Sequence, residues 1–329
     1  MKLRFILLAL LGFGLAVYLV FYVGFAAVFS AALEVGWGGF AILIAYALAL
    51  FVVLAGSWQV LVPGAGITIF LWGRMVRDSA AEVLPFSQVG GFVIGARAAN
   101  LKGLPAPMAF ASTIVDVTTE MIAQIVYVAL GIALLAERAP QNSFTATLTA
   151  TLTATLTIGL AAATIIGIAF LFVQRRGSWI TAKFASHILP TKLAHAAALT
   201  TALDAIYRSP VRVGVSLVLH LVGWIASAIG TWIAFRLIGA DVDLAAVVAI
   251  ESLVYAMRSA AFIVPNALGV QEGAYAMLAP LLGVGPEFGL AVSLLKRARD
   301  IAIGVPILLL WQAMEGKRAL APKAGGELS

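Results

Sequence analysis

The sequence predicts an all-α polytopic membrane protein, with about six full transmembrane helices and two re-entrant or broken helix pairs set in an inverted repeat. Three observations carry this expectation. Hydrophobic residues make up 62% of the 329-residue chain and charged ones 11%, and mean hydropathy is +1.05. Apolar runs of that length and frequency are built for the bilayer. Many of the few charges lie inside apolar stretches, and two of those stretches are each interrupted by a proline with glycines close behind. Broken backbone at membrane depth must be satisfied by protein or by a water-filled cavity.

Taken in order, Lys2 and Arg4 precede an apolar run over residues 5–23. It is too long and too aromatic for a cleaved signal peptide and no small-x-small site follows it, so it reads as a retained first span with its N-terminus inside. Residues 24–37 carry only Glu34 and fit the outer surface. A second span covers residues 38–62, and Pro63-Gly64 makes the turn. The stretch over residues 72–103 then breaks the pattern. Arg74, Asp78 and Glu82 recur every four residues with Arg77 beside them, on one helical face. Each would cost roughly 2.5–3.5 kcal/mol against lipid at the bilayer centre, so the face must look inward. Pro85 removes a backbone donor and ends or kinks the helix, and Gly90-Gly91 permit a tight turn or close packing. The return leg carries Gln88, and Arg97 and Lys102 place its end on the cytoplasmic side.

Pro105 and Pro107 open a long helix to about Leu135, with Asp116, Glu120 and Gln124 again four apart. The repeat TATLTATLTATLT from Thr145 starts a span ending near Val173; its threonines can bond back to helix carbonyls. Residues 175–212 hold Arg175, Arg176, Lys183, Lys192, Arg208 and Arg212 against one acid, Asp204, which makes this segment cytoplasmic. Two short helices lying on the membrane and broken at Pro190 are expected there. After a span over residues 213–238 and the outer Asp241 and Asp243, Glu251, Tyr255, Arg258 and Ser259 share a helical face. Pro265 breaks that helix, and Gly269 and Gly273 flank Gln271 and Glu272. The last helix, residues 286–314, holds Ser293, Lys296, Arg297 and Asp300 mid-way, and Lys317, Arg318 and Lys323 put the C-terminus inside.

Residues 38–135 and 213–316 thus repeat one order of elements within a single integral membrane domain spanning 1–329, joined by the connector 175–212. AAEVLPFSQVGG aligns with AAFIVPNALGVQEG. With six crossings from an inner N-terminus, the two broken pairs open to opposite faces, the arrangement of secondary transporters with a site at the midplane. The inward charges nearly balance: Arg74, Arg77, Arg258, Lys296, Arg297 and Arg299 give six positive groups. Asp78, Glu82, Asp116, Glu120, Glu251, Glu272 and Asp300 give seven negative ones. There is no Cys, and His187, His195 and His220 are scattered without metal-ligand spacing, so neither metal nor cofactor is expected. The formal charge of +6 reads as topology and headgroup contact rather than nucleic-acid binding.

Pro85 with Gly90-Gly91, the Asp116/Glu120 helix, and VPNALGVQEG from Val264 resemble the lysylphosphatidylglycerol synthase transmembrane, flippase-type family over nearly the whole chain. WGRMVRDSAAEVLPFSQVGG and ASTIVDVTTEMIAQ are similar to its hopanoid-biosynthesis-associated (HpnL-type) members. The resemblance implies a protein of a bacterial inner membrane that moves a hopanoid or phospholipid-like lipid between leaflets. Asn266-Ala267-Leu268 stand where the family commonly has more glycine. No soluble aminoacyl-transferase domain follows Met314, so lysyl transfer is not expected. In the first reading Arg74, Arg77 and Arg258 hold an anionic or polyol headgroup, with carboxylates as partners in the empty site. A lipid-phosphate hydrolase is the enzyme alternative, with Glu82 or Glu120 as base, although Ser79, Ser87 and Ser259 have no His near in sequence. A non-catalytic scaffold for lipid-modifying enzymes is the third. Oligomeric state is left open, a homodimer included.

Overall fold

The computed structural model describes residues 25–84, 87–138, 153–169, 190–261 and 264–320, with 14, 17, 18, 21, 150, 151, 171 and 172 as isolated positions. Most of the expected first span, Pro85, and the basic Arg175, Arg176 and Lys183 lie outside those residues, as do the side chains of Gln88, Lys192 and Pro265. Among the described residues every regular element is helical: the protein is an all-α, multi-pass membrane protein.

Helix α1, Phe25–Glu34, forms the segment expected at the outer surface, where no helix was foreseen. FAAVFSAALE contains no residue that breaks a helix, and the chain turns only at Gly36, whose φ is +59°. Helices α2 (Gly36–Gln59), α5 (Ala106–Arg138) and α8 (Pro210–Leu237) are long and apolar enough to cross a bilayer, and α6 (Thr153–Ala169) is a shorter apolar helix. In α6 the Thr157 and Thr164 hydroxyls donate to the carbonyls of Thr153 and Leu160, the bonding back to the helix expected of the repeat's threonines, whereas Thr153 Oγ1 has no hydrogen-bond partner. Helix α7 (Pro190–Tyr207) starts at the expected proline, which suits a first helical turn. It does not lie free on a membrane surface: Ala202 and Ile206 are buried against Trp58, Phe70, Ala109 and Ala111.

Between these long helices stand two hairpins. In the first, α3 (Ile67–Val83) and α4 (Ser87–Leu101) run antiparallel. A Cβ on Gly95 would come within 2.7 Å of Arg77 Cβ, and one on Gly91 within 2.8 Å of the Arg77 carbonyl oxygen. Gly90 and Gly91 lie within α4, and Gly91 serves close packing rather than the turn. The second hairpin pairs α9 (Leu244–Ala260) with α10 (Val270–Leu281), joined through a 3₁₀ turn at Pro265–Ala267. Asn266 and Ala267 take φ of +51° and +46°, a left-handed conformation that L side chains adopt at a cost. Arg297 holds them there by donating to both carbonyls at 3.3–3.4 Å. The Gly269 N–H donates to Glu272 Oε2 at 2.8 Å and fixes the start of α10.

The hairpin tips meet. Asn266 Nδ2 donates to the Glu82 carbonyl at 2.6 Å, and Arg258 reaches the Glu82 carboxylate at 2.7 and 2.8 Å. Their open ends lie apart. Arg97 at the end of α4 pairs with Glu315 near the end of α11 (Pro286–Leu320). Asp243 before α9 pairs with Arg138 at the end of α5, 2.6 Å away.

Single cysteines placed at Arg97 and Gly283 of this chain, which has no Cys of its own, will label with impermeant maleimide from opposite faces of the membrane. Labelling from one face would contradict the arrangement. Gly91→Ala forces a shift of backbone against backbone and will lower stability by about 1–3 kcal/mol, the usual cost of overpacking, read as a loss of thermal stability in detergent.

Candidate functional site

Helix α3 projects Arg74, Arg77 and Asp78 toward Asp116 and Glu120 of α5, one turn apart. Arg74 donates to Asp78 at 2.7 Å and to the two Glu120 oxygens at 3.2 and 2.5 Å. Arg77 donates to Asp78 at 3.0 Å, Asp116 at 2.8 Å and Glu120 at 2.5 Å. Two guanidiniums and three carboxylates thus share one lattice. Its forked geometry is the strongest form of such contacts, and pairing is what allows charge to be buried at all.

His220 of α8 completes the cluster and was not foreseen in the sequence. Its Nε2 lies 2.9 Å from Asp116 Oδ1, between residues 104 apart in the chain. Only the spacing of Ser216, His220 and Gly223, all buried on one face of α8, could have pointed to it. Ser57 Oγ is 3.2 Å from the same Nε2, 3.4 Å from Asp116 and donates to the Leu54 carbonyl at 2.7 Å. Ser, His and Asp are therefore together, but not as a nucleophile relay. In that relay serine and carboxylate bond opposite ring nitrogens, whereas here both sit at Nε2 and Nδ1 has no hydrogen-bond partner. Asp116, Glu120 and His220 each offer a ligand atom within 4.8 Å of the others. Both carboxylates are already claimed by guanidiniums, whose charge opposes a cation, so the set fits an ion-paired cluster better than a metal centre.

Glu82, expected to act with Asp78 on the same face, pairs instead across the molecule with Arg258. Asp300 pairs with its neighbour Arg299 at 2.7 Å. A further cluster lies deeper: Lys296 bonds Glu251 at 2.6 Å, Thr231 at 3.2 Å and Tyr275 at 2.9 Å. Gln271 donates to Ser293 at 2.9 Å, and Arg297 pairs with Glu272.

A cavity of about 230 Å³ opens beside these pairs. Its polar wall is Arg74, Asp78, Glu82, Glu120, Arg299 and Asp300, with His220 at one edge. The same cavity is also lined by apolar and aromatic side chains: Leu50, Phe51 and Leu54 of α2, with Trp224 of α8 and Tyr255 of α9. Of the residues singled out in the sequence, Arg74, Asp78, Ser79, Glu82, Glu120, Tyr255, Arg299 and Asp300 reach the cavity. Arg77, Asp116 and Arg258 stand behind it as their partners. Glu251, Gln271, Glu272 and Arg297 are apart from it and hold the second hairpin to α11.

A family model for the lysylphosphatidylglycerol synthase TM region matches residues 6–307. No curated protein and no solved structure matches the chain.

Arg77→Ala leaves the buried Asp116 with Arg74 3.6 Å away as its nearest guanidinium. Removing one partner of a buried pair typically costs about 3–5 kcal/mol. The variant will unfold at lower temperature than Arg97→Ala, which loses an exposed pair worth about 0–1 kcal/mol; equal melting of the two would show the lattice to be energetically idle.

Proposed function

The chain belongs to the lysylphosphatidylglycerol synthase transmembrane family, and from that premise we propose that it is a lipid translocase. Its headgroup site is the cavity lined by the lattice on α3 and α5 and by apolar and aromatic side chains of α2, α8 and α9. The observation that carries this reading is the cavity's mixed lining. Its charged side chains are polar enough to replace a headgroup's water, and its aliphatic and aromatic ones apolar enough to receive the first carbons of its tail. All the charges along it are paired, so the empty site is stable, and an arriving headgroup exchanges one set of partners for another.

In this reading the two hairpins are the halves of an inverted repeat, and the site lies where their tips meet, as in other transporters built this way. The protein works in a bacterial inner membrane with both termini in the cytoplasm. Hopanoids and related lipids are the first candidates because of the resemblance in residues 72–91 and 111–124. The lipid is moved without covalent change. Ser57, which lies against His220, is fully buried and donates to the Leu54 carbonyl, which disfavours the hydrolase alternative at this site. Nothing comparable favours a scaffold.

Purified protein in vesicles will exchange fluorescent-tailed candidate lipids between leaflets faster than protein-free vesicles, without releasing phosphate. Glu120→Gln, which keeps the shape but weakens both arginine contacts, will slow exchange by about tenfold, as expected for loss of roughly 1.4 kcal/mol of stabilisation. Exchange no faster than in empty vesicles for every lipid, or phosphate release with turnover, would sink the proposal.

A further inference from the structure

Arg74, Arg77 and Arg258 are almost closed off from the cavity, at 4%, 3% and 7% exposure. The acids that pair with them, apart from the buried Asp116, are the exposed members: Asp78 at 25%, Glu82 at 29% and Glu120 at 18%. Asp300 at 22% stands beside Arg299 at 18%, the one arginine of this site with comparable exposure. The hydrogen bonds run the same way. Arg74 and Arg77 direct Nε and both terminal nitrogens to carboxylates. Each oxygen of Glu82 takes one hydrogen bond from Arg258, and both bonds from Arg299 go to Asp300 Oδ1. A carboxylate offers about four acceptor sites, so acceptor capacity remains on the cavity side. Donor capacity is turned inward except at Arg299, which lines the cavity and gives Nε and Nη2 to Asp300.

From this geometry we infer that the cavity selects a headgroup rich in hydrogen-bond donors, hydroxyls or an ammonium, and rejects a phosphate monoester. The inference rests on the translocase reading only for the ligand's being a lipid. A phosphate brings acceptors and negative charge against the lone pairs of Glu82, Asp78 and Asp300. To reach Arg74, Arg77 or Arg258 it would have to break a buried pair and strand its carboxylate, and at Arg299 it would meet Asp300 alongside. Hydroxyls and ammonium groups meet the carboxylates as they stand. Trp224 and Tyr255, packed edge to face with centroids 4.7 Å apart, line the same cavity and give the headgroup's carbon skeleton an apolar neighbour.

Native mass spectrometry of the purified chain with three short-tailed diacyl lipids tests this. The probes are a monohexosyl diacylglycerol, a lipid ending in a single primary ammonium, and phosphatidate. The inference requires at least one donor lipid to bind about tenfold more tightly than phosphatidate or better, a difference of roughly one hydrogen bond to a charged group. Which of the two binds better tells hydroxyl from ammonium. In Glu82→Gln with Asp300→Asn, which releases Arg258 and Arg299 from their carboxylates, the order will shift toward phosphatidate. Phosphatidate first or level in the native chain, or no binding by any probe, overturns the inference. If the double variant fails to fold, the order in the native chain decides alone. Donor lipids that bind but do not exchange between leaflets would sink the translocase reading and leave this one standing.

Discussion

Charge in an apolar bundle must be neutralised where it sits, and this constraint shapes everything else in the protein. An unpaired carboxylate or guanidinium among helices would carry a solvation penalty of several kcal/mol. Arg74 and Arg77 escape it only because α5 runs close enough to α3 for Asp116 and Glu120 to meet them at 2.5–2.8 Å. Position on α3 is therefore dictated by α5, and the position of α5 is in turn tied to α8 through His220 and through the contact of Thr119 with Ser216 at 3.0 Å. The lattice works as a register mark for the bundle, a role for which buried polar pairs are well suited.

Close approach is the second condition. A guanidinium reaches only a few ångströms beyond its helix, so α3 must be backed by an element that presses it into place. Gly91 and Gly95 of α4 supply that contact by removing the Cβ atoms that would strike Arg77. In the second half Arg297 and Glu272 play the corresponding part by polar means, pinning carbonyls and an N–H of a turn that contains two non-glycine residues at positive φ. Asn266-Ala267 at that turn thus need a clamp that a glycine would not, which gives the departure from the family's glycine-rich pattern a physical counterpart.

Much of this was legible in the sequence because it depends on local periodicity. Four-residue spacing put Arg74, Asp78 and Glu82 on one face, and Asp116 and Glu120 on another, and length with hydropathy identified α2, α5 and α8. What depends on three-dimensional pairing was not legible. Glu82 shares a face with Asp78 yet pairs with Arg258, 176 residues away. His220 sits in an ordinary apolar helix and becomes polar machinery only when α8 meets α5. The helix at Phe25–Glu34 was missed because an apolar segment with one acid was weighed by charge rather than by its lack of breakers. Direction was also hidden: sequence shows that arginines and acids coexist, but not which of them stands in front.

The Glu82–Arg258 pair then has a place in any transport cycle the protein performs. Together with the Asn266 bond to the Glu82 carbonyl, it is a polar link between the two hairpin tips, and Glu82 is also the most exposed of the cavity carboxylates. A donor-rich headgroup that hydrogen-bonds Glu82 draws on the same oxygens that hold Arg258. Ligand and hairpin contact therefore compete for one group. A ligand shifts a conformational equilibrium only by its differential affinity for the two states, and this shared carboxylate is where such a difference can arise. In the translocase reading proposed above, occupancy would loosen the contact between the tips and departure restore it, coupling the two halves of the bundle through the side chain that meets the headgroup.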